Sequence, residues 1–190
     1  MARPFRIEGF AIVSADGMIA EAAGVMPDAL KVDADQQFFS RELDRVDVVV
    51  HGRNSQEGQA NSALRRRLIA TRMVATTAPD PENPQALRWN PAGISFEAAC
   101  GALGLASGTA AIIGGTEIFS LFLEIGYDVF HLSRVSRVRL PGGRPVFVQV
   151  RYGRVPEDVL PQFGLEPGPM RVLDPMSGVT LVDWRRKPDA

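Results

Sequence analysis

The residues best suited to chemistry fall in three places. Gly114-Gly115 stands between an apolar run, Ala110 to Ile113, and a segment that can start a helix at Glu117. With no side chains at the pair, a phosphate can approach the backbone, where free N–H groups and the positive end of the helix would face it. Taken alone, the same pair would make an ordinary tight turn. Gly52-Arg53-Asn54-Ser55 follows a second apolar run, Val46 to Val50, and so falls at the carboxyl edge of a sheet, where open α/β sheets bind ligands. The Arg53 guanidinium can grip a phosphate through two donors. The third place is acidic. Asp33 and Asp35 open a segment of helical pattern, and a carboxylate there can accept paired hydrogen bonds from an amino group and a ring N–H, or simply cap the helix.

Other reactive residue types are sparse. The single Cys100 excludes an internal disulfide and a cysteine-rich metal site and fits a reducing compartment. His51 and His131 lack carboxylate or thiolate neighbours at ligand spacing, so no metal is expected. The run Arg65-Arg-Arg67 is read as a solvated face and left out of the site. A formal net charge of -1 gives no field that would draw the chain to nucleic acid or an anionic membrane, which leaves a small molecule as the expected partner. The start, Met1-Ala-Arg-Pro-Phe-Arg6, runs straight into a strand, and no stretch reaches the roughly 20 apolar residues needed to span a bilayer. The expected location is the cytoplasm.

The elements that must position these residues alternate between strand and helix. Strands are expected at Phe5 to Ser14, Val46 to Val50, Arg72 to Thr76, Ala110 to Ile113, Tyr127 to Val135, Val146 to Tyr152 and Val179 to Trp184. Helices are expected at Asp33 to Arg45, with Asp33 as cap and Gln36 at capping-box spacing, at Ala60 to Ala70, at Phe96 to Ala106, and at Glu117 to Ile125 closed by Gly126. Three prolines make Ala78 to Pro84 a loop, and five prolines make Pro156 to Ser177 an irregular surface excursion. With 190 residues, 45% of them hydrophobic, and no internal repeat, the expectation is one α/β domain over 1–190: a mixed, mostly parallel sheet with helices on both faces and an antiparallel C-terminal strand.

Four segments in order resemble the dihydrofolate reductase-like superfamily, which includes dihydrofolate reductase and the reductase domain of riboflavin biosynthesis. They are Ser14-Ala-Asp-Gly-Met-Ile-Ala20, Val48-Val-Val-His-Gly-Arg-Asn-Ser55, Val74-Ala-Thr-Thr77 and Ile112-Ile-Gly-Gly-Thr-Glu-Ile-Phe119, within about residues 5 to 150. The resemblance implies NADPH as cofactor. Its pyrophosphate would lie on Gly114, Gly115, Thr116, Glu117 and Ile118 and against Gly52, Asn54 and Ser55. Arg53 would face the 2′-phosphate, Thr76 and Thr77 the adenosine ribose phosphate, and Ala11, Ile12, Ile19 and Ala20 the nicotinamide. Asp16 is read as part of an Asp-Gly turn.

On the substrate side the sequence departs from the dihydrofolate reductase pattern, because Met26-Pro27 is followed by Asp28 where that pattern has Trp. Asp35 lies four residues before Phe39 and is the first candidate for the catalytic carboxylate; Asp33 is the second. The implied reaction is hydride transfer to a small heteroaromatic ring, a pterin of one-carbon metabolism first and a ribosylated aminopyrimidine second, although Ser14 to Ala20 resembles the riboflavin enzymes more closely. A non-catalytic nucleotide-binding or oligomer-forming protein, such as a homodimer, is the remaining reading, since fold does not fix function.

Overall fold

The computed structural model describes residues 3–187 apart from Gln56 and Tyr152. In chain order the elements are β1 (Phe5–Ser14), β2 (Met18–Ala20), α1 (Asp33–Leu43), β3 (Val48–Gly52), β4 (Arg67–Ala70), β5 (Thr77–Pro79), β6 (Ala86–Trp89), α2 (Phe96–Ala102), β7 (Gly108–Ile112), α3 (Thr116–Ile125), β8 (Val129–Val135), β9 (Arg144–Pro145), α4 (Pro156–Val159), β10 (Leu165–Pro167), β11 (Arg171–Asp174) and β12 (Val179–Arg186). Short 3-10 turns occupy Asp28–Leu30, Ser62–Leu64 and Leu160–Phe163.

The main sheet runs β10-β12-β8-β1-β7-β3-β4-β6-β5, and β11 pairs with β12 over Val179–Leu181, ahead of the stretch that pairs with β10. From β8 to β6 every neighbour is parallel, and both flanks close with antiparallel pairs, β12 on β8 and β5 on β6. The α/β architecture, the mostly parallel sheet and the antiparallel C-terminal strand are as expected. Parallel central strands are buried on both faces, which is why Val48-Val-Val50 reads as an unbroken apolar run.

The central strand β1 shows how the two faces separate. Phe5, Ile7 and Val13 join the larger core with α2 and α3, while Phe10 and Ile12 pack beneath α1 and the 3-10 turn before it. Gly9 sits mid-strand because a Cβ there would collide with the rings of Phe130 and Tyr127. In α3, Ile118, Phe119, Phe122 and Leu123 form the buried stripe, and Gly126 ends the helix at φ 104°.

Several expectations are corrected. Ala60 to Ala70 is not a helix: it holds the Ser62–Leu64 turn and β4, so the strand comes at Arg67–Ala70 and Arg72 to Thr76 is irregular. Arg65 and Arg67 are buried in ion pairs with Glu57, which removes the solvated arginine face; only Arg66 is exposed. Asp33 does not cap α1, since Val32 is the cap residue without a side-chain bond and Asp33 belongs to the first turn. The loop expected from Ala78 gives up Ala78 and Pro79 to β5, an edge strand, where a missing N–H is tolerated. Helix α2 stops at Ala102, short of Ala106.

Val146 to Tyr152 is not a strand. Val146, Phe147 and Val150 are buried in the larger core through turns, with Phe147 against Phe130 at 5.1 Å between ring centroids, and Tyr152 lies outside the described residues. The expected excursion, Pro156 to Ser177, is instead α4, a 3-10 turn, β10 and β11, with Val159, Leu160 and Leu165 in the core. Among the described residues no helix is long and apolar enough to cross a membrane.

Candidate functional site

One large cleft of about 1350 Å³ opens at the carboxyl ends of the parallel strands. At one end, two loops meet backbone to backbone. The Gly52 amide donates to the Gly114 carbonyl at 2.8 Å, and the Ser55 amide donates to the Gly52 carbonyl at 3.0 Å, closing a turn over Gly52 to Ser55. Gly114 has φ 113°, a value that favours glycine, and the Gly114–Gly115 peptide is cis. Gly115 has an ordinary φ of -78°, and a Cβ there would stand a tight 3.1 Å from Ser55 Oγ. Gly115 precedes α3, whose first turn has no side-chain cap; the Ile118 amide donates to the Gly115 carbonyl at 3.0 Å.

The same end carries two of the exposed cations that line the cleft. Arg53 follows β3, and its Nη1 lies 3.2 Å from Met73 Sδ; Arg72 follows the neighbouring strand β4 and also lines the cleft. Between them Thr71 is buried, with Oγ1 accepting from the Met73 amide at 3.2 Å. Ala11 and Ile12 of β1 and Ile19 and Ala20 of β2 form the floor midway along the cleft.

The other end is built on α1 and β8. Asp35, in the first turn of α1, lies near the buried Ser133 hydroxyl, and burial pushes its carboxyl up to about 6, which Ser133 only partly offsets. Phe10, Phe38, Phe39, Leu30 and Met26 supply the apolar surroundings. One residue pair deeper along β8, His131 stacks on Phe10 at 4.6 Å between ring centroids, with Nδ1 2.8 Å from Asp183. Burial opposes its charge, but Asp183 and Glu8 outweigh burial and raise its pKa, while His131 holds Asp183 down at about 2. Among the described residues no group of three His, Cys, Asp or Glu side chains is arranged to hold a metal ion.

No family model matches this sequence, and no curated protein does. Solved structures do. A protein of Shewanella sp. PV-4 provisionally described as a riboflavin biosynthesis protein aligns at 22% identity with a TM-score of 0.67, over 96% of this chain and 99% of that one. Dihydrofolate reductase from Enterococcus faecalis, complexed with NADP(H) and RAB-propyl, aligns at 15% identity with a TM-score of 0.61, over 96% and 97%. The chain has the dihydrofolate reductase-like fold. The Thermotoga maritima diaminohydroxyphosphoribosylaminopyrimidine deaminase/5-amino-6-(5-phosphoribosylamino)uracil reductase shares it at 17% identity with a TM-score of 0.64; this chain, aligned over 97% of its length, spans 57% of that two-activity protein.

Within this dihydrofolate reductase-like frame, the cleft brings together Ala11, Ile12, Ile19, Ala20, Gly52, Arg53, Asn54, Ser55, Gly115, Thr116, Glu117, Ile118 and Asp35. Gly114 lies just behind them, in contact through its carbonyl. The Thr116 hydroxyl is turned away, donating to the Pro145 carbonyl at 2.5 Å, so only its backbone is offered to the cleft. Thr76 and Thr77 are not among the lining residues, and Asp33 is exposed outside it. Asp28 is exposed too, paired with Lys31 at 2.7 Å. Asp16 is engaged structurally, accepting from Ser14 Oγ at 2.6 Å and the Leu140 amide at 3.0 Å.

Thr71, Arg72, Ser133 and His131 are among the polar lining residues that sequence reasoning missed. The first two had a readable signal: Leu68-Ile-Ala70 followed by Thr71-Arg72 repeats the pattern of Val48–Gly52 followed by Arg53, a short apolar run ending in a cation. Ser133 and His131 carry no local signal, because their role depends on which face of β8 meets α1.

Proposed function

We propose that the protein is an NADPH-dependent reductase of a small heteroaromatic ring. The observation that carries this reading is that a single cleft joins a helix N-terminus without a side-chain cap, a glycine turn where a Cβ would be tightly placed, exposed arginines and, at its far end, a half-buried carboxyl of raised pKa. The residues fit a dinucleotide. Gly115 with the first turn of α3 and the Gly52–Ser55 turn would take the pyrophosphate, Arg53 with Arg72 the 2′-phosphate, and Ala11, Ile12, Ile19 and Ala20 the nicotinamide. When bound, the cofactor supplies the hydride.

The chain itself binds, orients and handles one proton. Asp35, mostly ionised at neutral pH with a pKa of about 6, accepts hydrogen bonds from a ring N–H and a neighbouring amino group and favours the protonated ring. The Ser133 hydroxyl lies beside the carboxylate, and Phe10, Phe38 and Phe39 supply apolar walls around it. Of the two ring classes, the ribosylated aminopyrimidine comes first: the Shewanella protein aligns with a higher TM-score than dihydrofolate reductase, 0.67 against 0.61, and Asp28 stands where the dihydrofolate reductase pattern has Trp. A pterin is the second reading, favoured by the placement of Asp35 beside Ser133.

Thermal melting with NADPH, alone and with an aminopyrimidine ribotide or dihydrofolate, tests the proposal, because a ligand that binds only the folded chain raises the melting temperature. NADPH should stabilise more than NADH, and the aminopyrimidine should add to it more than dihydrofolate does. The absence of any NADPH shift well above micromolar concentration would leave the binding-module reading standing instead.

A further inference from the structure

Among its described residues the connection from β3 to β4 contains one short 3-10 turn, and its first residues, Arg53 to Ser55, border the cleft. A connection this long needs an anchor to hold one conformation. The anchor is ionic and buried. Glu57 Oε1 accepts from Arg65 Nη1 at 2.8 Å and from Arg67 Nη2, and Glu57 Oε2 accepts from the Gln59 amide at 2.7 Å. The three side chains are only 3%, 7% and 4% exposed. The Ser62 carbonyl and hydroxyl accept from Arg67 at 2.8 and 2.7 Å, and Asp44, just past α1, pairs with Arg65 at 2.6 Å.

Such a cluster contributes little net stability, since desolvation offsets the attraction between its charges. Its geometric effect is larger. Arg67 belongs to β4, an interior strand between β3 and β6, so the ion pairs fasten the loop to the sheet two residues beyond Ser55. Upstream, the bond from the Gly52 amide to the Gly114 carbonyl fastens the other end. Glu57 itself borders the cleft, but its carboxylate is engaged by the two guanidinium groups and the Gln59 amide.

We infer that Glu57, acting through Arg65 and Arg67, is a positioning residue that holds the Gly52–Ser55 turn in the geometry that receives cofactor phosphates; the inference rests on the NADPH reading above. Glu57→Gln keeps the shape and removes the charge, and Glu57→Asp keeps the charge on a shorter arm. Calorimetric titration with NADPH should show affinity lowered about tenfold or more in Glu57→Gln, with turnover at saturating cofactor nearly unchanged, partial recovery in Glu57→Asp, and faster amide exchange across residues 53–60. If Glu57→Gln does not fold, Glu57→Asp alone decides, with a loss of about threefold or more expected. Wild-type NADPH affinity in folded variants of lowered melting temperature would overturn the inference and leave the reductase reading intact. A wild-type protein that fails to bind NADPH would remove the reductase reading and this inference with it.

Discussion

The two ends of the cleft handle charge in opposite ways. At the end proposed for the phosphates the buried Glu57 is paired with Arg65 and Arg67, while Arg53 and Arg72 are exposed. At the end proposed for the ring, Asp35 is partly withdrawn from water near the Ser133 hydroxyl, and burial penalises its ionisation. The phosphate end is therefore preorganised by contacts already satisfied, and a ligand there exchanges water for donors held in place. The ring end stores an unfavourable ionisation that the hydrogen bonds of a bound ring can relieve.

The largest expected effect breaks the ring end alone. Asp35→Asn should lower turnover by about 10²- to 10⁴-fold, the range for a positioned acid–base group, with NADPH affinity unchanged and partial recovery at low pH. Asp33→Asn should do neither, because Asp33 is exposed outside the cleft. Stability should move the other way. The Asp35 pKa rises from 3.8 unfolded to about 6 folded, so its contribution to stability is fully present below pH 4 and lost as pH rises through 6. Asp35→Asn should thus stabilise the unliganded protein at pH 8 by up to about 3 kcal/mol, and by almost nothing near pH 4. Urea unfolding at the two pH values reads this difference.

At the phosphate end, Gly115→Val should weaken NADPH more than about 100-fold, since the new side chain meets Ser55 Oγ where the pyrophosphate would pass. Retained affinity in the folded variant would reduce the glycine pair to a turn. Arg53→Ala should cost about 10- to 100-fold in NADPH affinity and far less in NADH affinity; equal losses would detach Arg53 from the 2′-phosphate. Smallest of all is the pair Thr76→Val and Thr77→Val. Both residues lie outside the cleft, so cofactor titration should not distinguish these variants from wild type, whereas Thr71→Val should weaken binding.

The phosphate end was the more legible in sequence because its residues are contiguous. Gly52 to Ser55 and Gly114 to Ile118 each follow an apolar strand directly, so strand, turn and ligand position are written in one short segment. The error there came from Arg65-Arg-Arg67: a charge run resembles a wet helix, and only the distant Glu57 turns it into a buried anchor and a strand. Moving that strand back to Arg67–Ala70 is what exchanges Thr76 and Thr77 for Thr71 and Arg72. The ring end is assembled from α1, β1 and β8, so Asp35 could be named from its helix position but its partner Ser133 could not. The C-terminal elements were hidden by their prolines. Pro156 begins α4 and Pro167 ends the edge strand β10, positions where proline costs no hydrogen bond.

The central claim is that this one cleft passes a hydride from NADPH to a ring held by Asp35. Incubating the protein with NADPH deuterated at the transferable position and with each ring compound, then reading the product by mass spectrometry, tests it most directly. The account predicts deuterium in the reduced aminopyrimidine product, abolished in Asp35→Asn and in Gly115→Val. Unlabelled substrate recovered intact from both ring classes, with NADPH bound but unconsumed, would contradict it.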